Sequence, residues 1–436
     1  MKIEHYYLWY SVDILPTSFF RIMSYMKQAS MRSGILILAT AQALIQTVSV
    51  LVVTIGGLAG AVISDRPELA TVPVAAMFLG TAIATFPASH LMARAGRRAG
   101  FMAGAAIGAI GGLTAALGMW LSLLPVVALG TFLVGCYQGF AQFYRFAASE
   151  IANEAFRPKA ISLVLAGGLG AAFFGPYLGR VGGPLLDQAY VGSFLILALA
   201  AVLAFVVLAG LRMPVQVADQ VDTSRGRSWG AIVSQPSYLV ALFGAVTGYT
   251  IMIMIMTATP MAMIRQGYDL SAAAVVIQLH VIGMFLPSFF TGNLIKRFGV
   301  LQIMLSGVVL LVCQVLMTFT GDGIESFAVA LILLGVGWNF LFIGGTTLLT
   351  TTYTPAEKSR AQATNDMTIF VAGLAGSFGA AGLLDGLGWQ ALNGYWLPWL
   401  AVAGLAIAWL MLRERRLKME ALAFDSGGCR SLENVS

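Results

Sequence analysis

Four apolar stretches carry polar or aromatic side chains at helical spacing. Gln42 and Gln46 stand four residues apart, and Gln138, Gln142 and Arg145 follow at i, i+4 and i+7. On a helix each of these two sets shares one face. Thr247, Tyr249 and Thr250 form a third group, and Trp338, Asn339 and Phe342 a fourth. Amides, hydroxyls and rings make hydrogen bonds and stacks rather than break covalent bonds. An unpaired amide in an apolar environment costs roughly 2–7 kcal/mol, so these groups face either a cavity or one another. A cavity lined this way fits a neutral, planar molecule with several hydrogen-bonding edges. The other reading is interhelical hydrogen bonding. No Asp or Glu lies in the middle of any of the four stretches. Arg145 lies near a stretch end, where it either binds an anion or snorkels to the surface.

The elements that hold these residues are set by composition. The chain has 436 residues, 58% hydrophobic and 10% charged, against about 25% charged in a soluble domain. Its apolar runs reach roughly 20 residues, the length that crosses about 30 Å of hydrocarbon as a helix. The alternation of a membrane β-barrel is missing. Twelve spans are expected, near 34–62, 71–92, 100–122, 126–148, 160–180, 189–211, 238–261, 272–294, 300–319, 326–350, 364–384 and 394–412. The net charge of +6 sits in turns between spans and suggests no nucleic acid. Cys136, Cys313 and Cys429 show neither metal nor disulfide spacing, and no cofactor is expected. Glu4, Asp13, Pro16, Arg21 and Lys27 interrupt any apolar signal segment. Residues 1–30 are then an interfacial extension, or the true start is Met31.

Basic residues set the orientation. With the first residue in the cytoplasm, every Lys and Arg except Arg66, Arg180 and Arg265 falls on the cytoplasmic side. This is the positive-inside bias, and it places both termini inside. The polar stretch 213–236 divides the chain into six spans and six. The expected organisation is 31–212 as one bundle, 213–236 as a cytoplasmic linker, 237–413 as a second bundle and 414–436 as a cytoplasmic tail. The halves echo each other. Arg94-Ala95-Gly96-Arg97-Arg98 follows the second span, and Arg297-Phe298-Gly299 follows the eighth. Arg157-Pro158-Lys159 and Lys358-Ser359-Arg360 form a second pair of basic turns. Spans five and eleven are rich in glycine, read either as helices that slide between the halves or as simple tight packing. No phosphate-binding Gly-x-x-x-x-Gly-Lys-Ser/Thr loop is present, which excludes an ATPase of that type. Nor do His, Asp and Glu cluster as an enzyme would need.

These residues resemble the major facilitator superfamily, whose signature after span two reads Gly-x-Leu-x-Asp-Arg-x-Gly-Arg-Lys/Arg. Here it is Ser89-His90-Leu91-Met92-Ala93-Arg94-Ala95-Gly96-Arg97-Arg98, with Ser89 and Ala93 as departures. Gly292-Asn293-Leu294-Ile295-Lys296-Arg297-Phe298-Gly299 is the later copy. The stretch from Gly337 to Phe342, with Lys358 and Asn365-Asp366, also looks like bacterial members. The resemblance implies an all-α membrane protein of two pseudo-symmetric six-helix bundles working by alternating access. It implies a central cavity lined by spans one, four, seven and ten. That makes Gln42, Gln46, Gln138, Gln142, Tyr249, Thr250, Trp338, Asn339 and Phe342 the candidate binding residues.

The resemblance also implies a latch from the basic turn to the start of span eleven. Arg94, Gly96, Arg97, Arg98, Arg297, Gly299 and Asp366 are its candidates, with Asp366 pairing Arg94 in place of the acid lost at Ala93. The alternative is that these arginines only set topology. Drug–proton exporters of the superfamily carry Arg-x-x-Gln-Gly in span four, where this chain has Gly135-Cys136-Tyr137-Gln138-Gly139. Gly175-Pro176 and Gly179 echo their span-five motif, but Arg180 stands where a second glycine belongs. His280 is the candidate for proton coupling, and facilitated diffusion is the alternative. The expected protein is a monomer in the bacterial inner membrane, among lipids, that takes up a small vitamin-like solute. A flavin would suit, since some bacterial members carry riboflavin. The alternatives are proton-coupled efflux of drugs or metabolites, and a membrane sensor without transport.

Overall fold

The computed structural model describes residues 17–64, 69, 71–213 and 226–432. Half of the expected linker, the first part of the expected extension and the last residues of the tail lie outside that range. Helices dominate the described residues, and none of these residues forms a strand. Eleven helical segments among them are long and apolar enough to cross a membrane. The glycine-rich helix Lys358–Gly394 carries the expected eleventh span, which brings the crossings to twelve. Large apolar side chains point outward along the helices, Leu36, Leu199 and Leu405 among them. In water that surface would be untenable; hydrocarbon is the solvent it fits.

Several boundaries differ from expectation. The first helix runs Thr17–Ile63, well upstream of Met31. The last runs Leu397–Leu432, so the expected tail continues span twelve as a helix. Spans four, five and eight are each made of two helices. Span four is Leu124–Ala141 and Tyr144–Ile151. Span five is Arg157–Ala166 and Leu169–Gly182. Span eight is Leu270–Phe285 and Ser288–Phe298. Each break has its own cause. At Gln142 the carbonyl accepts from the Arg145 side chain at 3.1 Å. At Gly167 the backbone lies so near span one that a Cβ would sit 2.2 Å from the Ala39 carbonyl oxygen. At Pro287 the chain has no N–H to continue the ladder.

The two Arg-x-Gly turns are one geometry used twice. Gly96 has φ 87° and ψ 160°, and Gly299 has φ 94° and ψ 153°. Only glycine visits this region without strain. Each glycine ends one span and starts the next with no intervening loop.

Packing repeats with the same period. Span one packs on five and seven on eleven, while three packs on four and six, as nine does on ten and twelve. The glycines serve these contacts within each half. Gly175 faces Val50 of span one, and Gly373 faces Tyr249 of span seven. At these two positions the glycines serve close packing inside each bundle, while Gly168 of span five faces Phe285 of span eight. Between the bundles, span two meets span eleven and span five meets span eight.

Candidate functional site

Hydrogen bonds between the halves gather at the end that carries the basic turns. Ser89 and Ser359 place their Oγ atoms 2.8 Å apart. Arg97 donates to Glu150 at 2.7 Å and to Gln362 of span eleven at 2.5 Å. Lys358 reaches the same Glu150 at 3.3 Å. Ser162 donates to the Ser288 carbonyl at 2.5 Å. Gly292 lies so close to span five that a Cβ would be 2.4 Å from the Lys159 Cα.

Deeper in the seam, Arg145 of span four pairs with Asp366 of span eleven, both buried. The expected Arg94–Asp366 pair is therefore replaced. Arg94 and Arg98 are exposed, as is Arg297, which lies over its neighbour Phe298. Among the arginines of the two basic turns, Arg97 makes the crossing contact. The physical reason is register: the Arg94 side chain leaves span two toward solvent, while Arg97 opens span three facing Glu150.

The Arg145 guanidinium lies 4.6 Å from the Phe146 ring centroid and 4.5 Å from that of Phe342, one ring from each half. Phe342 stacks on Trp338 with centroids 4.9 Å apart and planes 15° apart. Tyr249 lies 6.1 Å from Phe342 and edge-on to Phe370 at 5.4 Å. Gln138 and Tyr249 line a narrow crevice of about 30 Å³ with Thr81 and Phe370. Gln138 accepts from Ser49 at 3.1 Å, and Gln142 accepts from Arg145 at 3.2 Å. Gln42 is buried and Gln46 half-buried. The Thr250 hydroxyl and the Trp338 Nε1 are buried without a hydrogen-bond partner among the described residues. The structure thus joins Gln138, Tyr249, Trp338 and Phe342 around one aromatic core.

Asn339 stands apart from that group. Its Oδ1 accepts from Thr291 at 2.7 Å, and its Nδ2 donates to the Met284 carbonyl and Ser288 Oγ at 2.7 and 2.6 Å. It ties span ten to span eight and has no free edge toward a solute. His280 is likewise sealed within the second half, with Nδ1 2.8 Å from the Leu331 carbonyl oxygen. Its Nε2 is buried without a hydrogen-bond partner among the described residues. Thr247 accepts from Trp399 at 2.9 Å and is used the same way.

The seam contacts of Glu150, Gln362, Ser89 and Ser359 were not foreseen in the sequence. Glu150 gave the only usable signal, as a lone acid at a basic helix end. At the end opposite the basic turns, a cavity of about 1330 Å³ opens between spans one, five and eight.

A profile of the Major Facilitator Superfamily matches residues 22–324 and 279–427. The chain belongs to this superfamily. It is 40% identical over 384 residues to the riboflavin transporter RfnT of Brucella anthropi, covering 88% of this chain and 96% of that one. It is 29% identical to the MFS-type transporter YdeG of Bacillus subtilis, over 78% of this chain and 83% of that one. Among solved structures, FucP in the outward conformation superposes with a TM-score of 0.69 at 16% identity, covering 87% of this chain and 97% of that one. The proton:xylose symporter XylE superposes with a TM-score of 0.70 at 13% identity, covering 89% and 96%. These two show the fold.

Within the superfamily this transporter departs at Gly135 for a steric reason. A Cβ there would lie 1.9 Å from the Met77 carbonyl oxygen of span two. The exporters' arginine has no room at this position.

Proposed function

We propose that this transporter takes up a neutral, planar solute, riboflavin in the first instance, across the bacterial inner membrane as a monomer. The observation that carries this reading is the charge state of the central group. Trp338, Phe342 and Tyr249 offer aromatic faces, Gln138 offers an amide, and the guanidinium beside them is already neutralised by Asp366. Such a surface favours rings and amide-like edges over ions. Riboflavin is the cargo named for the relative that shares 40% identity with this chain. Gln42, Gln46 and Gln142 stand on the neighbouring faces, with Thr250 and its unpartnered hydroxyl.

The basic end and both termini face the cytoplasm in this reading. The seam is then closed inside and the 1330 Å³ cavity opens outside, as suits receipt of a solute from without. Arg97, Glu150, Lys358, Arg145 and Asp366 form the inner latch, while Arg94, Arg98 and Arg297 set topology and Gly96 and Gly299 form the turns. The crowding at Gly135 weighs against proton-coupled drug efflux. Riboflavin uptake by a vitamin auxotroph, and by right-side-out vesicles but not inverted ones, is the expected result. No uptake despite confirmed membrane expression would overturn the assignment.

A further inference from the structure

The cavity of about 1330 Å³ lies apart from the central aromatic group, at the mouth, and its lining joins rings and charged groups to apolar side chains such as Leu58, Val62 and Leu186. Phe173 and Tyr177, each more than half exposed, present rings into it beside Tyr190. Arg180, Asp187 and Gln278 line the same space. Neither Arg180 nor Asp187 has a hydrogen-bonded or ionic partner among the described residues. This contrasts with Arg265 at the same end, which pairs with Asp385. Tyr190 adopts φ 63°, a left-handed conformation that bulky residues rarely accept. Its N–H is held by the Gly183 carbonyl at 3.0 Å, which fixes the rim.

We infer that this mouth is a second recognition site, ahead of the central one, for an aromatic solute that bears a polyol chain. The inference rests on the cargo proposed above and adds where that cargo first binds. The rings take the flat part. The carboxylate accepts from hydroxyls, the guanidinium donates to them, and the Gln278 amide does both. One positive and one negative group leave the site with no net charge, which suits a neutral polyol better than a phosphate or an ammonium ion. A lipid acyl chain would use the rings and leave both charges without a role.

The test uses the full-length protein in proteoliposomes, with riboflavin and with lumiflavin, which has a methyl group in place of the ribityl chain. Arg180→Gln, Asp187→Asn and Tyr177→Leu replace exposed side chains whose loss the fold tolerates. For riboflavin each is expected to raise KM roughly tenfold with Vmax within about twofold. In Asp187→Asn the preference for riboflavin over lumiflavin disappears, whereas Gln138→Ala weakens both flavins alike. If the wild type carries riboflavin and all three variants keep its KM and the preference, the mouth site is overturned and the cargo stands. If the wild type neither binds nor carries flavin, the cargo falls and the mouth site with it.

Discussion

At the residue scale, the Arg145–Asp366 pair carries the sharpest consequences. Removing one partner strands the other charge in the protein interior, which costs roughly 3–5 kcal/mol. Arg145→Gln and Asp366→Asn should therefore each lower the melting temperature in detergent by far more than an exposed substitution does. The double variant should recover much of that loss, because a buried pair replaced as a whole is close to neutral. If the effects of the single changes simply add in the double, the two groups are not coupled. Asn339→Leu offers a contrast: three hydrogen bonds to span eight vanish. It should destabilise the second bundle by about 2–4 kcal/mol while the riboflavin KM of the surviving protein is unchanged. A KM shift would return Asn339 to the binding surface. The sequence could nominate such residues but not sort them. Asn339 and Gln138 read alike, as amides in apolar stretches, because what separates them is the neighbouring helix. Arg145 and Asp366 are 221 positions apart, and no local pattern joins them.

At the element scale, the turns were legible because their cause is local. A basic residue, one intervening residue and a glycine between two apolar runs specify a helix end that only glycine can make. Gly96→Ala or Gly299→Ala should each cost about 1–3 kcal/mol, seen as lower yield of folded protein. At Gly299 a Cβ would also meet Gln302 Oε1 at 2.6 Å, but that is the end of a flexible side chain that can turn away, so the two losses should be similar. A much larger loss at Gly299 would mean that Gln302 is held in place. The breaks in spans four and five were not legible, because Gln142 and Gly167 are exceptional only through what lies beside them; Pro287 alone marked its break in the sequence.

The turn before span eleven adds a pH dependence. Arg227, from the end of the linker region, donates to Glu357 at 2.7 and 2.9 Å. This hydrogen bonding holds the Glu357 carboxyl down at about 2, from an ordinary value of 4.5. A depressed carboxyl gives its full stabilisation above the ordinary value and loses it as pH falls toward the depressed one. The stability gap between wild type and Glu357→Gln should be constant from pH 7 to about 5 and shrink as pH falls from there toward about 2. A gap that widens on acidification would contradict the pairing.

At the scale of the whole molecule, the contacts are lopsided, and the proposed function reads them as a latch on an outward-facing state. Charge-assisted bonds from Arg97 to Gln362, Lys358 to Glu150 and Arg145 to Asp366 cross the seam at the basic end, while the opposite end holds the open cavity. Hydrogen bonds to charged groups contribute roughly 1.5–3 kcal/mol each, so losing two of them is enough to move a two-state equilibrium from mostly closed toward even. Arg97→Gln combined with Asp366→Asn should therefore expose the inner face. A cysteine at Ser89, which bonds to Ser359 across the seam, reports that opening. In an otherwise unchanged protein lacking its native cysteines, it should resist a membrane-impermeant maleimide in inverted vesicles. In the latch variant it should react several-fold faster, while a cysteine at Phe173 in the mouth should lose reactivity in right-side-out vesicles. Both changes are required together. Faster labelling at position 89 alone would mean local fraying of the latch, and it would separate that contact from the rocking of the two bundles. Cargo gives an independent check on the sign, since a ligand moves an equilibrium only by its differential affinity for the two states. Riboflavin enclosed within the inverted vesicles should partly restore protection at position 89 in the latch variant if it binds the outward state more tightly.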